Sequence, residues 1–126
     1  MNAKDAALIG VAREGLVDGV RMMLEVGANV HAAYEHALRW AAHNGHAETV
    51  RILIAAGADI HAINDEALRL AAANGHLEVV HILIKAGANV HAEDDDALQT
   101  AEEKCHFDVV QMLLEAGLYL RAGKMS

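Results

Sequence analysis

The chain contains no proline, one cysteine (Cys105) and few aromatic side chains: Trp40, Tyr34, Tyr119 and Phe107. A lone cysteine excludes an intrachain disulfide and makes the reducing, intracellular and cytoplasmic setting the expected one. The shortage of aromatics argues against a β-sandwich, which leans on aromatic and β-branched strands. No apolar run approaches the roughly 18–20 residues that span a bilayer, so no membrane association is expected. The opening Met1-Asn2-Ala3-Lys4-Asp5 shows no apolar stretch with a small-residue cleavage site, so a secretory leader is not expected either. Basic residues are outnumbered, 10 against 18 acidic, for a formal charge of −8. An acidic chain whose lysines and arginines are scattered repels a phosphate backbone, which excludes nucleic acid as the expected partner.

What fills the chain is Ala, Leu, Val and Ile. Hydrophobic residues reach 54% beside 22% charged ones, which favours helices around a packed core and excludes intrinsic disorder. At 126 residues the length is that of one domain.

That domain is one unit written four times. Gly27, Gly57, Gly87 and Gly117 recur every 30 residues, as do His31, His61 and His91, with Arg121 in the fourth slot. The repeats run about 4–33, 34–63, 64–93 and 94–122, leaving a short tail, 123–126. Within the third copy, Ala67, Leu68, Ala71 and Ala72 make a helical stripe that Asn74-Gly75 ends, with Asn64 or Asp65 as its N-cap. A second helix is expected from about Leu77 to Ala86, stopped by Gly87 and followed by a connection reaching Asp94. Two such short helices cannot bury their apolar faces alone, whereas stacked copies can.

The strings NGHAETVRILIAAGADIHA and NGHLEVVHILIKAGANVHA resemble the second half of an ankyrin repeat, with its Gly-His turn, Val-Val-x-x-Leu helix and Gly-Ala-Asp-Val ending. The ankyrin period is about 33 residues with a Thr-Pro-Leu-His opening. Here the period is 30 and the opening is Ala37-Leu38-Arg39, Ala67-Leu68-Arg69 or Ala97-Leu98-Gln99. The shortfall falls in the loop that projects as a β-hairpin finger, and in this the chain resembles the shortened ankyrin repeats of giant-virus proteins. The expected fold is therefore all-α: an ankyrin-like helix-turn-helix solenoid of four stacked repeats with shortened inter-repeat loops and almost no strand.

Comparing the copies separates framework from freedom. Ala41, Ala71 and Ala101 suit close helix approach, Leu53, Leu83 and Leu113 the core, and Gly57, Gly87 and Gly117 the turn. Arg39 and Arg69 stand where the family has the histidine of its opening motif, and a guanidinium there can donate to loop carbonyls and hold the shortened loop. The slots that vary are the loop tips and the adjoining face of the first helix: Tyr34, Glu35, His43, Ile63, Asn64, Asp65, Glu93, Asp94, Asp95 and Glu103. In the resemblance, matching positions line the concave surface on which ankyrin domains bind partners, so these are the candidate protein-binding residues. The loop slots grow more acidic along the stack, which fits a partner of basic or mixed surface. The last copy carries Glu102-Glu103-Lys104 on a face turned to water. The first stays apolar through Leu8-Ile9-Gly10-Val11-Ala12, so the chain is expected to be mostly monomeric with weak self-association at that end.

Chemistry finds little footing. Rungs of the His31, His61 and His91 ladder lie at least one interhelical distance apart, about 8–10 Å, too far to converge on one metal ion. They are expected to bond loop backbone instead. His46, His76 and His106 are expected to bond a neighbouring turn, and His36, His43 and His81 to be solvated. Cys105 has only His106 beside it in sequence, poor geometry for activating a thiolate. Trp40 shares its slot with Leu70 and reads as packing. The run Glu93-Asp94-Asp95-Asp96 lacks the glycine and terminal glutamate of a calcium loop. No catalytic residue, cofactor or metal is expected, and a non-enzymatic protein-interaction module is the leading reading. The near-identity of the second and third copies suits an alternative, a designed or reconstructed scaffold with no natural ligand. A histidine-based metal or pH sensor is a third.

Overall fold

The computed structural model describes the backbone of residues 1–125 and the side chains of residues 1–118. Eight helices follow in pairs: α1 (Ala3–Arg13) and α2 (Val17–Glu25), α3 (Ala32–His43) and α4 (Ala47–Ala55), α5 (Ala62–Ala73) and α6 (Leu77–Lys85), α7 (Ala92–Glu103) and α8 (Phe107–Met125). No strand occurs among the described residues. The expected all-α helix-turn-helix solenoid is what forms.

The first three pairs close on a glycine in the left-handed region: Gly15, Gly45 and Gly75 have φ of 70°, 78° and 72°. The amide of Gly45 reaches Ala42 O and that of His46 reaches Ala41 O, the two bonds that satisfy orphan carbonyls in a Schellman turn. A side chain at these glycines would also collide with the next repeat. A Cβ at Gly45 would lie 2.5 Å from His76 Nδ1, and one at Gly75 2.6 Å from His106 Nδ1. Cys105 fills the fourth such slot with φ 61°. The second helices end the same way at Gly27, Gly57 and Gly87.

The layers are joined through small residues. Ala41, Ala71 and Ala101 are fully buried, as are Ala12, Ala42 and Ala72, with Leu8, Leu38, Leu68, Leu53 and Leu83 filling the space between layers. Neighbouring first helices touch more extensively than neighbouring second helices. A stack packed closer on one layer curves toward that layer, so α1, α3, α5 and α7 line the inner face. The fourth copy ends as expected, with Glu102 exposed in the slot where Ala12, Ala42 and Ala72 are buried. The first does not: Leu8, Ile9 and Ala12 of its apolar run are buried within the fold, and the exposed apolar side chains of that copy are Leu16 and Met22.

Two expectations of the helix boundaries need correction. Asn64 or Asp65 does not cap α5, because Ile63, Asn64 and Asp65 themselves turn in the left-handed region, and His61 occupies the N-cap position. The connection after Gly87 does run about as far as expected, because Glu93, Asp94 and Asp95 at the start of α7 have non-helical φ of 53–63°. Gly117 does not stop the last helix. In the earlier copies Asn29, Asp59 and Asn89 each accept the amide two residues on (His31, His61, His91) through the side chain, an Asx turn that ends the helical path. The fourth copy has Tyr119 at that slot, and α8 runs on to Met125, taking in most of the expected tail. The side chain of Arg121, and Ser126, lie outside the described residues.

Candidate protein-binding face

The three-residue shortfall of each loop is absorbed by a turn of unusual hand. Ala33-Tyr34-Glu35, Ile63-Asn64-Asp65 and Glu93-Asp94-Asp95 all have φ between 52° and 64°. Consecutive L-residues in that region cost about 1–2 kcal/mol each, so the turn persists only where its groups are held. Two devices hold it.

The first is the expected guanidinium clamp. Arg39 Nε donates to Tyr34 O (2.9 Å) and its Nη2 to Ala33 O (3.1 Å). Arg69 repeats the pattern on Asn64 O (3.0 Å) and Ile63 O (2.8 Å). Gln99 has one amide to offer and holds only Asp94 O, at 2.9 Å. The planar fork spans two successive carbonyls that a single amide cannot.

The second device was not foreseen. His31, His61 and His91 do not bond loop backbone through their rings. Each Nδ1 faces the carboxylate four residues on, His31 to Glu35 at 2.6 Å, His61 to Asp65 at 3.1 Å and His91 to Asp95 at 2.6 Å. The other carboxylate oxygen of Glu35 accepts Asp59 N–H, and Oδ2 of Asp65, which His61 Nδ1 also faces at 3.1 Å, accepts Asn89 N–H. One acid thus ties the loop before its repeat to the loop after it. A histidine four residues before an acid in three copies was the available signal.

These bonds sort the candidate residues. Glu35 and Asp65 are buried, at 5% and 4% exposure, and Asp95 is partly buried against His91. They belong to the loop's framework and leave the candidate face. The outward residues of each turn form a row along the stack: Tyr34, 80% exposed, then Ile63 with Asn64, then Glu93 with Asp94. Asn64 Nδ2 donates to Glu93 Oε1 at 2.6 Å, linking two loop tips. His43 and Glu103 make a second row at the other end of the first helices, half-buried and exposed respectively.

Between the rows stands Trp40, which sequence comparison had placed in packing. It is only half-buried. His36 stacks on it at 5.9 Å, His43 tilts against it at 4.9 Å, and the Arg13 guanidinium lies over its ring at 5.4 Å. Neither His36 nor His43 is the freely solvated side chain expected. His36 Nε2 is buried without a partner, and burial, then the charges of Arg39 and Arg13, hold its pKa below the ordinary histidine value. The periodicity explains the orphan: Arg39 pairs with Glu66 at 2.9 Å and Arg69 with Asp96 at 3.7 Å, but the residue one copy before Arg39 is Ile9. The clue to Trp40 was its slot, which holds Gly10 and Thr100 as well as Leu70 and so cannot be core throughout.

His46 and His76 behave as expected, bonding Arg13 O and His43 O of the preceding repeat, both at 2.9 Å. Cys105 is exposed and unpaired. Among the described residues no three His, Cys, Asp or Glu side chains are grouped to hold a metal ion, and no helix is long and apolar enough to cross a membrane.

A family model described as ankyrin repeats, in three copies, matches residues 38–122. No curated protein matches the chain. Ankyrin repeats are in general protein–protein interaction modules rather than enzymes. With well over half of its length matched, the chain belongs to the ankyrin-repeat family.

Proposed function

We propose that the chain binds a partner protein on the inner face of its stack, across the outward loop tips and the open side of the first helices. One observation carries this reading. Residues that differ between copies and face outward (Tyr34, Ile63, Asn64, Glu93, Asp94, His43 and Glu103) are aligned in two rows, with the half-exposed Trp40 between them. The apolar residues alike between copies, such as Ala41, Ala71 and Ala101 or Leu53, Leu83 and Leu113, are turned inward. An exposed aromatic beside variable polar groups suits an anchor with a selective rim. The partner is of basic or mixed surface, since the loop row ends in Glu93 and Asp94. The module acts without catalysis, cofactor or metal, in an intracellular setting. Its 30-residue repeats are of the shortened kind that giant-virus proteins carry.

The test is selection of binders from a displayed peptide library against the full chain. Tyr34→Ala is expected to raise their dissociation rate by an amount equivalent to about 1–3 kcal/mol. Replacing Glu93 and Asp94 with Gln and Asn is expected to slow association and flatten its salt dependence. His81→Ala, on the exposed side of α6, serves as the control. Binders sensitive to His81 and indifferent to Tyr34, Glu93 and Asp94 would place recognition on the second helices and refute the proposal.

A further inference from the structure

The inner face carries a charge gradient along the stack, written independently in three of its slots. At the far end of the first helices the slot reads Arg13, His43, Ala73, Glu103. At the loop tips it reads Lys4, Tyr34, Asn64, Asp94. On the helix side between them it reads Ala6, His36, Glu66, Asp96. Each series moves from neutral or positive to negative in the same direction. Arg13, Lys4, Asp94 and Glu103 are all exposed, and none of them forms an ion pair among the described residues. Glu66 and Asp96 are each beside an arginine of the preceding repeat, which softens the third series without reversing it. The slot of Glu14, Asn44, Asn74 and Lys104 runs the other way at the closing turns of these helices, where Asn44 Nδ2 donates to Arg13 O and Asn74 Nδ2 to Leu70 O, and with Glu14 and Lys104 exposed it offsets part of the first series. The slot between the rows is apolar in its middle, where Trp40 and Leu70 stand half-buried.

We infer that this face recognises a linear peptide segment of graded charge, acidic at the end lying over the first two repeats, apolar in the middle and basic at the end lying over the fourth. The inference rests on the inner face being the binding face, and adds the chemistry and direction of its ligand. Three interhelical steps of about 8–10 Å separate the two ends, so a segment spanning the gradient is roughly 25–30 Å long. Complementary charges at both ends steer and orient it, whereas a segment reversed over the face meets like charges at both.

Trp40 is the sole tryptophan and sits toward the positive end, so its emission reports direction. The probes are two tryptophan-free synthetic peptides of one composition. One has a glutamate block, an apolar centre and a lysine block; the other has the same residues interleaved. The blocked peptide is expected to bind the full chain about tenfold more tightly at low salt, a preference that fades as salt screens it. A quencher on its acidic end should extinguish Trp40 emission, and the same quencher on its basic end should not. Arg13→Gln combined with Glu103→Gln should remove most of the preference while circular dichroism stays unchanged. Equal affinity for the two peptides, or equal quenching from either end, would overturn the gradient and leave the inner face as a binding face. Binding that leaves Trp40 untouched from both ends would overturn the face itself, and failure of both peptides to bind would overturn the inference.

Discussion

Removing the arginine clamp from one loop measures what holds a left-handed turn in this stack. Arg69 donates from Nε and Nη2 to two successive carbonyls of the turn formed by Ile63, Asn64 and Asp65. Hydrogen bonds to a charged group contribute about 1.5–3 kcal/mol each when sheltered. These carbonyls are exposed and water can replace the guanidinium, so Arg69→Ala is expected to cost about 2–3 kcal/mol for the pair. Arg69→Gln should cost about half as much, because Gln99 shows that an amide at this slot keeps one carbonyl. Arg69→Lys should resemble Arg69→Gln, since an ammonium is a point donor without the planar fork. The turn itself supplies the control. Ile63 is β-branched and held at φ 52°, a conformation glycine adopts freely. In an Ile63→Gly background the loss from Arg69→Ala should shrink by about 1 kcal/mol, because the turn then needs less holding. Urea denaturation followed by far-ultraviolet circular dichroism gives all four corners of this cycle. An unchanged midpoint for Arg69→Ala would show that the turn stands without its clamp, and the same cost in both backgrounds would show that the clamp does not act through the hand of the turn.

Thr49 is fully buried with an unpartnered Oγ1, while Val79 and Val109 fill the same slot in later copies; Thr49→Val should stabilise by about 1 kcal/mol, and a lowered denaturation midpoint would show the hydroxyl to be satisfied. Cys105 is exposed and holds φ 61°, so Cys105→Gly should raise the midpoint by the equivalent of about 0.5–1 kcal/mol. Gly75→Ala should lower it, because its Cβ would meet the His106 ring at 2.6 Å; the same sign for both changes would defeat that account. His36 has a pKa below its ordinary value through burial, then the charges of Arg39 and Arg13. The unfolded chain therefore takes up a proton near pH 6.5 before the folded one does. The folded state then loses stability as pH falls below that point. His36→Gln should flatten that loss between about pH 7 and 5, and an unaltered pH profile would place the acid sensitivity elsewhere.

Much of this protein is determined by its sequence through periodicity. A 30-residue recurrence with paired helical stripes can bury its apolar faces only by stacking, so the helix pairs, the buried Ala41 and Ala71, and the turns at Gly45 and Gly75 follow without knowledge of the whole. The arginine clamp followed too, because Arg39 and Arg69 lie within reach of their own loops. What only the tertiary structure decided depends on groups brought together across repeats. Asp65 reads as a variable surface acid until its second oxygen meets the Asn89 amide, 24 residues on, and burial follows from that bond. Trp40 reads as core because Leu70 shares its slot, yet the curvature of the stack opens that slot on the inner face, where Arg13 of the preceding repeat covers the ring. The hand of the loops was hidden for a related reason. Non-glycine residues disfavour positive φ in isolation, and the bonds that hold three in succession, from Arg39, Arg69 or Gln99 and from the acids facing His31, His61 and His91, exist only once the loop is folded.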